Sequence, residues 1–125
     1  MRLLLDTHIF LWLTSDSSRL NAQSRRMIMS ASAVFVSSAS IWEASIKAKL
    51  GKLKVDPDDL LQEIQECGFQ ELPVYGRHGA ATARLPQLHN DPFDRLLVAQ
   101  AITEPLHLLT ADARLAAYSE LVIIV

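Results

Sequence analysis

The sequence has little of several features that would each point to a particular class of protein. Cys67 is the one cysteine among 125 residues, which excludes an internal disulfide and favours a reducing compartment such as the cytoplasm. Because Cys67 precedes Gly68 at a predicted helix end, we expect it to be a buried or half-buried thiol. No uninterrupted apolar run approaches the ~20 residues that span a membrane, and Asp6 and His8 interrupt the apolar N-terminus. We therefore expect a cytoplasmic protein without a membrane segment.

A strong net charge is also lacking. Twelve basic and fourteen acidic side chains leave a formal net charge of −2, so overall charge does not draw the protein to nucleic acid. What is present is an ordinary globular composition, with 50% hydrophobic and 21% charged residues. The chain contains no repeat or linker, and its length suits a single domain over residues 1–125.

Short apolar runs alternate with longer segments of helical periodicity. We predict strands at residues 2–5, 34–37, 69–74, 107–110 and 121–125. Helices are predicted at residues 7–13, 21–31, 40–50, 57–67, 76–85, 92–103 and 112–118. In helix 92–103 the predicted buried stripe is Phe93, Leu96, Leu97 and Ala101. This alternation predicts an α/β fold with a mostly parallel sheet between two helical layers, because right-handed crossovers place helices on both faces.

Four acids fall at the carboxyl edge of the predicted sheet, where ligands bind in such folds. Asp6 directly follows the first strand, and Asp112 comes two residues after strand 107–110. Glu43 lies early in the helix after strand 34–37, and Asp94 lies in the first turn of the helix leading into strand 107–110. The sequence therefore predicts that four separated carboxylates converge on one rim.

Each acid also has a simpler explanation. Asp6, Asp91 and Asp112 are good helix caps, Asp94 suits the helix dipole, and Glu43 suits a surface. Gathered together, however, they repel, by roughly 3 kcal/mol for a pair about 5 Å apart at an effective dielectric of about 20. A cation would remove this cost. Oxygen ligands without a histidine or cysteine set favour Mg²⁺ or Mn²⁺, which serve phosphoryl chemistry, so a phosphodiester substrate is indicated.

Four segments carry a resemblance to a known family. They are LLLDTHIFLW, VSSASIWEASIKAKLGKL, HNDPFDRLLVAQA and LLTADARLAAY. In this order and spacing they resemble the four blocks of PIN-domain ribonucleases, of the kind found as VapC-type toxins in bacterial and archaeal toxin–antitoxin pairs. The third segment is similar to the branch with an H-x-D-P-F-D-R signature.

The resemblance implies a three-layer α/β/α sandwich, usually homodimeric, that is a magnesium-dependent endoribonuclease held in check by a cognate antitoxin. It places the catalytic and metal-binding acids at Asp6, Glu43, Asp94 and Asp112. RNA would be cleaved by a metal-activated water, leaving a 5′ phosphate and a 3′ hydroxyl.

Supporting residues follow from the same resemblance. Thr7 and Thr110 fall where a hydroxyl often orients an acid or a water, although local capping explains them equally well. Asp91 and Arg95 belong to the branch signature; we expect Asp91 to cap its helix and Arg95 to be its i,i+4 partner or to touch phosphate.

Lysines crowd the segment IKAKLGKLK, which follows Glu43 along the chain. Such clusters are usually solvated surface. Lys47, Lys49 and Lys52 are nevertheless candidate contacts to an RNA backbone near the site.

Other aromatic and histidine side chains have mostly structural explanations. We expect His107 to pack in the core, and Trp12 and Trp42 to lie in the core or a dimer interface rather than to stack on bases. His89 is a candidate phosphate or substrate contact beside the third block.

Three other functions fit the sequence less well. A receiver domain would need paired acids after the first strand and a lysine late in the chain, but no lysine follows Lys54. A haloacid-dehalogenase-type phosphatase would have a second aspartate where this chain has His8. A non-catalytic interaction module would not need all four acids.

Overall fold

Five strands form one sheet in which every neighbouring pair is parallel, in the order β3-β2-β1-β4-β5. A computed structural model describes all 125 residues. The strands are β1 Arg2–Leu5, β2 Ala33–Ser37, β3 Gln70–Leu72, β4 His107–Thr110 and β5 Val122–Ile124. The helices are α1 Thr7–Thr14, α2 Ala22–Ser30, α3 Ser38–Lys49, α4 Pro57–Glu66, α5 Gly76–Thr82 and α6 Pro92–Thr103, with a 3₁₀ helix at Ala113–Tyr118.

Strand β1 separates two hydrophobic cores, because successive side chains of a strand point to opposite faces. Leu3 and Leu5 pack into a cluster with residues of α1, α2, α3 and α4, whereas Leu4 packs into a second cluster with residues of α6 and the 3₁₀ helix. All three leucines are fully buried. Helices therefore cover both faces of the sheet, and the predicted three-layer α/β/α fold is confirmed.

Local cap signals set several helix boundaries. Asn21, Asp56 and Asp91 each accept a backbone hydrogen bond from the first turn of the following helix, which is the capping role expected of Asp91. Helix α3 begins two residues earlier than predicted, because Ser37 already serves as its cap. Helix α5 ends at Thr82, three residues before the predicted end at residue 85.

Three burial predictions are wrong. Phe93 and Leu96 are only half-buried, because α6 faces its core through the predicted Leu97 and Ala101 together with Val98. Cys67 is exposed at the end of α4. Gly68, with φ of 75°, turns the chain there, so that Phe69 rather than Cys67 packs against the core.

His107 is half-buried at the start of β4, and its strand neighbours Leu108 and Leu109 fill the core. None of the helices combines the length and apolar character that crossing a bilayer requires.

Candidate active site at the carboxyl edge of the sheet

The sheet topology places all four predicted acids at its carboxyl edge. Asp6 follows β1 and begins α1, and Asp112 follows β4 and begins the 3₁₀ helix. Glu43 lies on α3, which continues from the end of β2. Asp94 lies in the first turn of α6, the helix that returns to β4.

Asp6 is buried with 4% of its surface exposed. Its Oδ2 atom accepts a 2.7 Å hydrogen bond from Thr110 Oγ1 at the end of β4. Burial raises the pKa of the Asp6 carboxyl, the Thr110 hydroxyl acts to lower it, and the negative charge of Glu43 raises it further. The same Thr110 oxygen accepts a 3.1 Å hydrogen bond from the backbone N–H of Asp112, so one hydroxyl links two of the acids.

Glu43 is also buried, and its partner is a lysine one helical turn later. Lys47 Nζ donates to Glu43 Oε2 at 2.9 Å. The pKa of Lys47 is raised, chiefly by this hydrogen bond, with contributions from the negative charges of Glu43, Asp91 and Asp94. Lys47 is therefore half-buried among the acids rather than lying free on the surface.

His89 lies between Asp94 and Asp112. Its Nε2 atom is 2.9 Å from Asp94 Oδ2 and 3.9 Å from Asp112 Oδ2. One ligand atom from each of these three residues lies within 4.8 Å of the others, which is close enough for one metal ion to be held among them. Burial is the main reason that the pKa of Asp94 rises from 3.8 to about 6, while the hydrogen bond from His89 opposes the rise.

Asp112 is clamped by Arg114. The Nε and Nη2 atoms of Arg114 lie 3.0 and 2.7 Å from the two carboxylate oxygens, and the Arg114 backbone N–H donates a third hydrogen bond at 3.0 Å. These bonds hold the pKa of Asp112 below its usual value. The Arg114 side chain is exposed, so this clamp lies on the solvent side of Asp112.

Each of the four acids thus has its own hydrogen-bond donor: Thr110 for Asp6, Lys47 for Glu43, His89 for Asp94 and Arg114 for Asp112. These partners already offset part of the repulsion among the acids, a role that the sequence assigned to a cation. His89 adds an imidazole nitrogen to the closest group of potential ligands, beside the carboxylates that the sequence predicted.

The supporting residues divide into local and long-range roles. Asp91 Oδ1 accepts from the backbone N–H groups of Phe93 and Asp94 at 2.8 and 3.3 Å, which makes it the cap of α6. The Thr7 hydroxyl donates to Ser40 Oγ at 2.8 Å rather than to an acid, so this side chain ties α1 to α3.

Arg95 does not pair with Asp91. Its guanidinium donates to the backbone oxygens of Thr82 and Pro86 at 3.0 Å and to Tyr118 Oη at 3.2 Å. Arg95 therefore fastens the loop that carries His89, and the i,i+4 pairing expected for it is wrong.

Two exposed features border the site. Lys49 and Lys52 are exposed at the end of α3 and just beyond it. Trp42, next to Glu43 in the chain, has 62% of its surface exposed, so it is not a core residue. Its indole meets the ring of Phe93 edge-on, with 5.2 Å between the centroids.

The sequence did not predict the position of His89 between Asp94 and Asp112 or the hydrogen bonds of Arg114 to Asp112. The D-x-R spacing after β4 was an available signal for Arg114, because an arginine two residues after a capping aspartate can fold back onto it. No local pattern places His89 against Asp112, since 23 positions separate them in the chain.

A groove of about 600 Å³ lies beside α1 and α4. It begins at His8, two residues after Asp6, and continues past Trp12 to Leu60. None of the four acids lines it, so the candidate site is an open rim rather than the floor of this groove.

Comparison with known proteins gives the following relationships. A family model described as the PIN domain matches residues 3–121. No curated protein matches the chain. The fold is similar to the structure of VapBC2 from Rickettsia felis bound to a DNA fragment from their promoter, with a TM-score of 0.69 and 14% identity over 100% of this chain and 98% of that one. A toxin–antitoxin complex from Klebsiella pneumoniae is similar with a TM-score of 0.67 and 16% identity, over 97% and 95% of the two chains. At identities this low the two structures establish a shared fold and nothing beyond it.

Proposed function

The chain belongs to the PIN domain family, as its four sequence blocks predicted, and from that membership we propose that it is a metal-dependent endoribonuclease. The observation that carries the proposal is the grouping of Asp94, Asp112 and His89 within 4.8 Å, beside buried Asp6 and Glu43 at the edge of a parallel sheet. Two buried carboxylates beside two half-buried ones are costly on an interaction surface, whereas a bound cation offsets their charge.

The chemistry of these side chains fits a divalent cation. Carboxylate oxygens are the ligands that Mg²⁺ and Mn²⁺ prefer, and the imidazole nitrogen of His89 is compatible with Mn²⁺. We assign the cation to Asp6, Asp94 and Asp112, with Glu43 as the fourth acid. Such an ion supplies charge neutralisation at a phosphate and lowers the pKa of a nearby water.

The protein side chains then have distinct roles. Thr110 fixes the rotamer of Asp6 by its 2.7 Å hydrogen bond, which keeps one oxygen in place before any ligand arrives. Arg114 and Lys47 form ion pairs with Asp112 and Glu43 in the metal-free protein. Once a cation binds these acids, the two basic side chains become free to pair with a phosphate of the substrate. His89 lies between two acids and is placed to contact the reacting phosphate once those acids bind the cation.

A type II toxin is the biological role that best fits such a nuclease. Similarity of fold to the VapBC2 and Klebsiella complexes supports an antitoxin as the partner of this chain. We propose that the antitoxin covers the acidic rim, that the protein acts in the cytoplasm, and that it forms a homodimer.

Expression of this chain alone should arrest growth, and co-expression of a neighbouring small gene should relieve the arrest. Harmless expression of folded, metal-competent protein would instead favour a housekeeping nuclease.

Cleavage of single-stranded RNA tests the enzymatic proposal directly. Purified protein should cleave RNA with Mg²⁺ or Mn²⁺, lose this activity in excess EDTA, and leave 5′ phosphate and 3′ hydroxyl ends. Asp94→Asn protein, prepared identically, is the control for a contaminating nuclease. Cleavage that resists EDTA would remove the metal from the proposal, and 2′,3′-cyclic ends would exclude attack by water.

A further inference from the structure

The exposed face of α3 combines apolar and basic side chains next to the acid site. Trp42, Ile46 and Leu50 recur at four-residue spacing and therefore share one face of the helix. All three are exposed, Trp42 and Leu50 to 62% each. Lys49, seven residues after Trp42, lies on the same face, and Lys52 follows just beyond the helix.

Trp42 is tied to the acid site from two directions. It directly precedes Glu43, and its ring contacts Phe93, which directly precedes Asp94. The edge-on contact with Phe93, at 5.2 Å between centroids and 69° between planes, holds the indole while leaving most of its surface open. An exposed indole held against a second ring is unusual on a surface and marks a place where an aromatic partner can stack.

The charge beside this indole indicates what the partner is. Lys49 lies ~10 Å further along the helix axis, at a rise of about 1.5 Å per residue, and Lys52 extends the basic track. An aromatic platform followed by a line of lysines suits a single strand of nucleic acid, whose bases stack while its phosphates pair with the cations.

We propose that Trp42, Lys49 and Lys52, along the exposed side of α3, form a track for single-stranded RNA, in which Trp42 is the platform on which a base beside the cleaved phosphate stacks and Leu50 makes no contact with RNA. This inference rests on the proposed nuclease function and adds to it the residues that hold the substrate. Trp42 is thus a substrate-positioning residue, and Lys49 and Lys52 hold the backbone that leads away from the site. Lys47, being paired with Glu43, contributes to the site rather than to the track.

Leu50 offers a matched control, because it has the same exposed fraction on the same face but lies two turns away from the acids. Binding of a short fluorescent single-stranded RNA should be measured in EDTA, so that no cleavage occurs. Trp42→Ala should weaken binding roughly 5- to 100-fold, as expected for the loss of one stacked base. Trp42→Phe should retain most of the affinity, and Leu50→Ala should remain within about twofold of the wild type.

Fluorescence reports the contact itself. Trp12→Phe leaves Trp42 as the single tryptophan, and the emission of this variant should be quenched by RNA in step with binding. In Mg²⁺, Trp42→Ala should raise KM for RNA more than it lowers kcat.

The alternative occupant of this face is a second copy of the chain. Sedimentation of all variants distinguishes RNA from a second copy as the occupant of this face. A dimer interface would be weakened by Leu50→Ala as well as by Trp42→Ala. Unchanged RNA binding by Trp42→Ala, or an equal loss of dimer in both variants with RNA affinity unaltered, overturns the inference. A wild-type protein that cleaves no RNA in Mg²⁺ would contradict the proposed function, whereas the binding series in EDTA decides the role of Trp42 independently.

Discussion

Thr110 Oγ1 donates a 2.7 Å hydrogen bond to Asp6 Oδ2 across a separation of 104 residues in the chain. Both residues are buried at the carboxyl ends of adjacent strands, β4 and β1. The bond positions the most buried acid of the site and counteracts the rise in its pKa that burial causes.

Replacing Thr110 by valine keeps the shape of the side chain and removes this donor. We expect Thr110→Val to cost about 1–3 kcal/mol of folding free energy, because the Asp112 N–H also loses its acceptor. The pKa of Asp6 should rise further, so Mg²⁺ should stabilise the variant less than the wild type at neutral pH. Denaturant titrations with and without Mg²⁺ measure both effects. Thr7→Val breaks only the bond to Ser40 and should keep the normal Mg²⁺ response; identical responses in the two variants would contradict the role given to Thr110.

Asp91 and Asp94, the two aspartates of the H-x-D-P-F-D-R signature, should differ in their effects on stability, Mg²⁺ binding and cleavage. Asn caps a helix about as well as Asp, so Asp91→Asn should melt near the wild type and keep measurable cleavage, while Asp91→Ala should lose ~1 kcal/mol. Asp94→Asn should be neutral or stabilising without metal, lose most of the Mg²⁺-induced stabilisation, and abolish cleavage. Melting curves with and without Mg²⁺, followed by assay of both variants on one RNA, test this assignment. An active Asp94→Asn beside an inactive Asp91→Asn would reverse it.

Asp94 should also make the metal-free protein less stable as pH rises. Its folded-state pKa of about 6 exceeds the ordinary value of 3.8, so the folded state binds the proton more tightly than the unfolded state. Its stabilising effect is complete below about pH 4 and is lost as the pH rises through about 6, a change of at most ~3 kcal/mol that solvent screening of this half-buried group reduces. In EDTA, the advantage of Asp94→Asn over the wild type should therefore grow across this interval and then level off. Chemical denaturation at a series of pH values measures it, and a pH-independent difference would refute the effect.

Lys47 and Lys49 were both candidate RNA contacts, but we expect substitution of Lys47 to change stability and substitution of Lys49 to change RNA affinity. Lys47→Met leaves buried Glu43 without its counter-charge, so we expect lower stability in EDTA and a larger recovery on adding Mg²⁺. Lys49→Gln should leave stability within about 0.5 kcal/mol, because exposed surface substitutions rarely do more. It should instead reduce RNA affinity and flatten its dependence on salt, as should Lys52→Gln. Unfolding curves and RNA titrations at several salt concentrations distinguish these effects. If the dependence of RNA affinity on salt is unchanged in the variants, Lys49 and Lys52 are solvated surface residues that do not contact RNA.

Much of the fold was determined by local patterns. Apolar runs and helical spacing predicted all five strands and the order of the helices, and cap residues such as Asn21 and Asp91 set helix starts to within a residue or two. The rim of acids was equally predictable, because any residue at the end of a parallel strand reaches the same edge of the sheet. Asp6 and Asp112 occupy such positions in the sequence itself.

Tertiary structure alone decided which donor each acid meets at long range and which side chains stay exposed. Thr110 reaches Asp6 only because β4 pairs with β1, and His89 reaches Asp112 only because Arg95 fastens its loop against Thr82 and Tyr118. The exposure of Trp42 likewise depends on how α3 packs against α6. Periodicity tells which face of a helix is apolar, but not how much of that face its neighbours cover. Distances of a few ångströms between side chains depend on the packing of several elements at once, which no local pattern specifies.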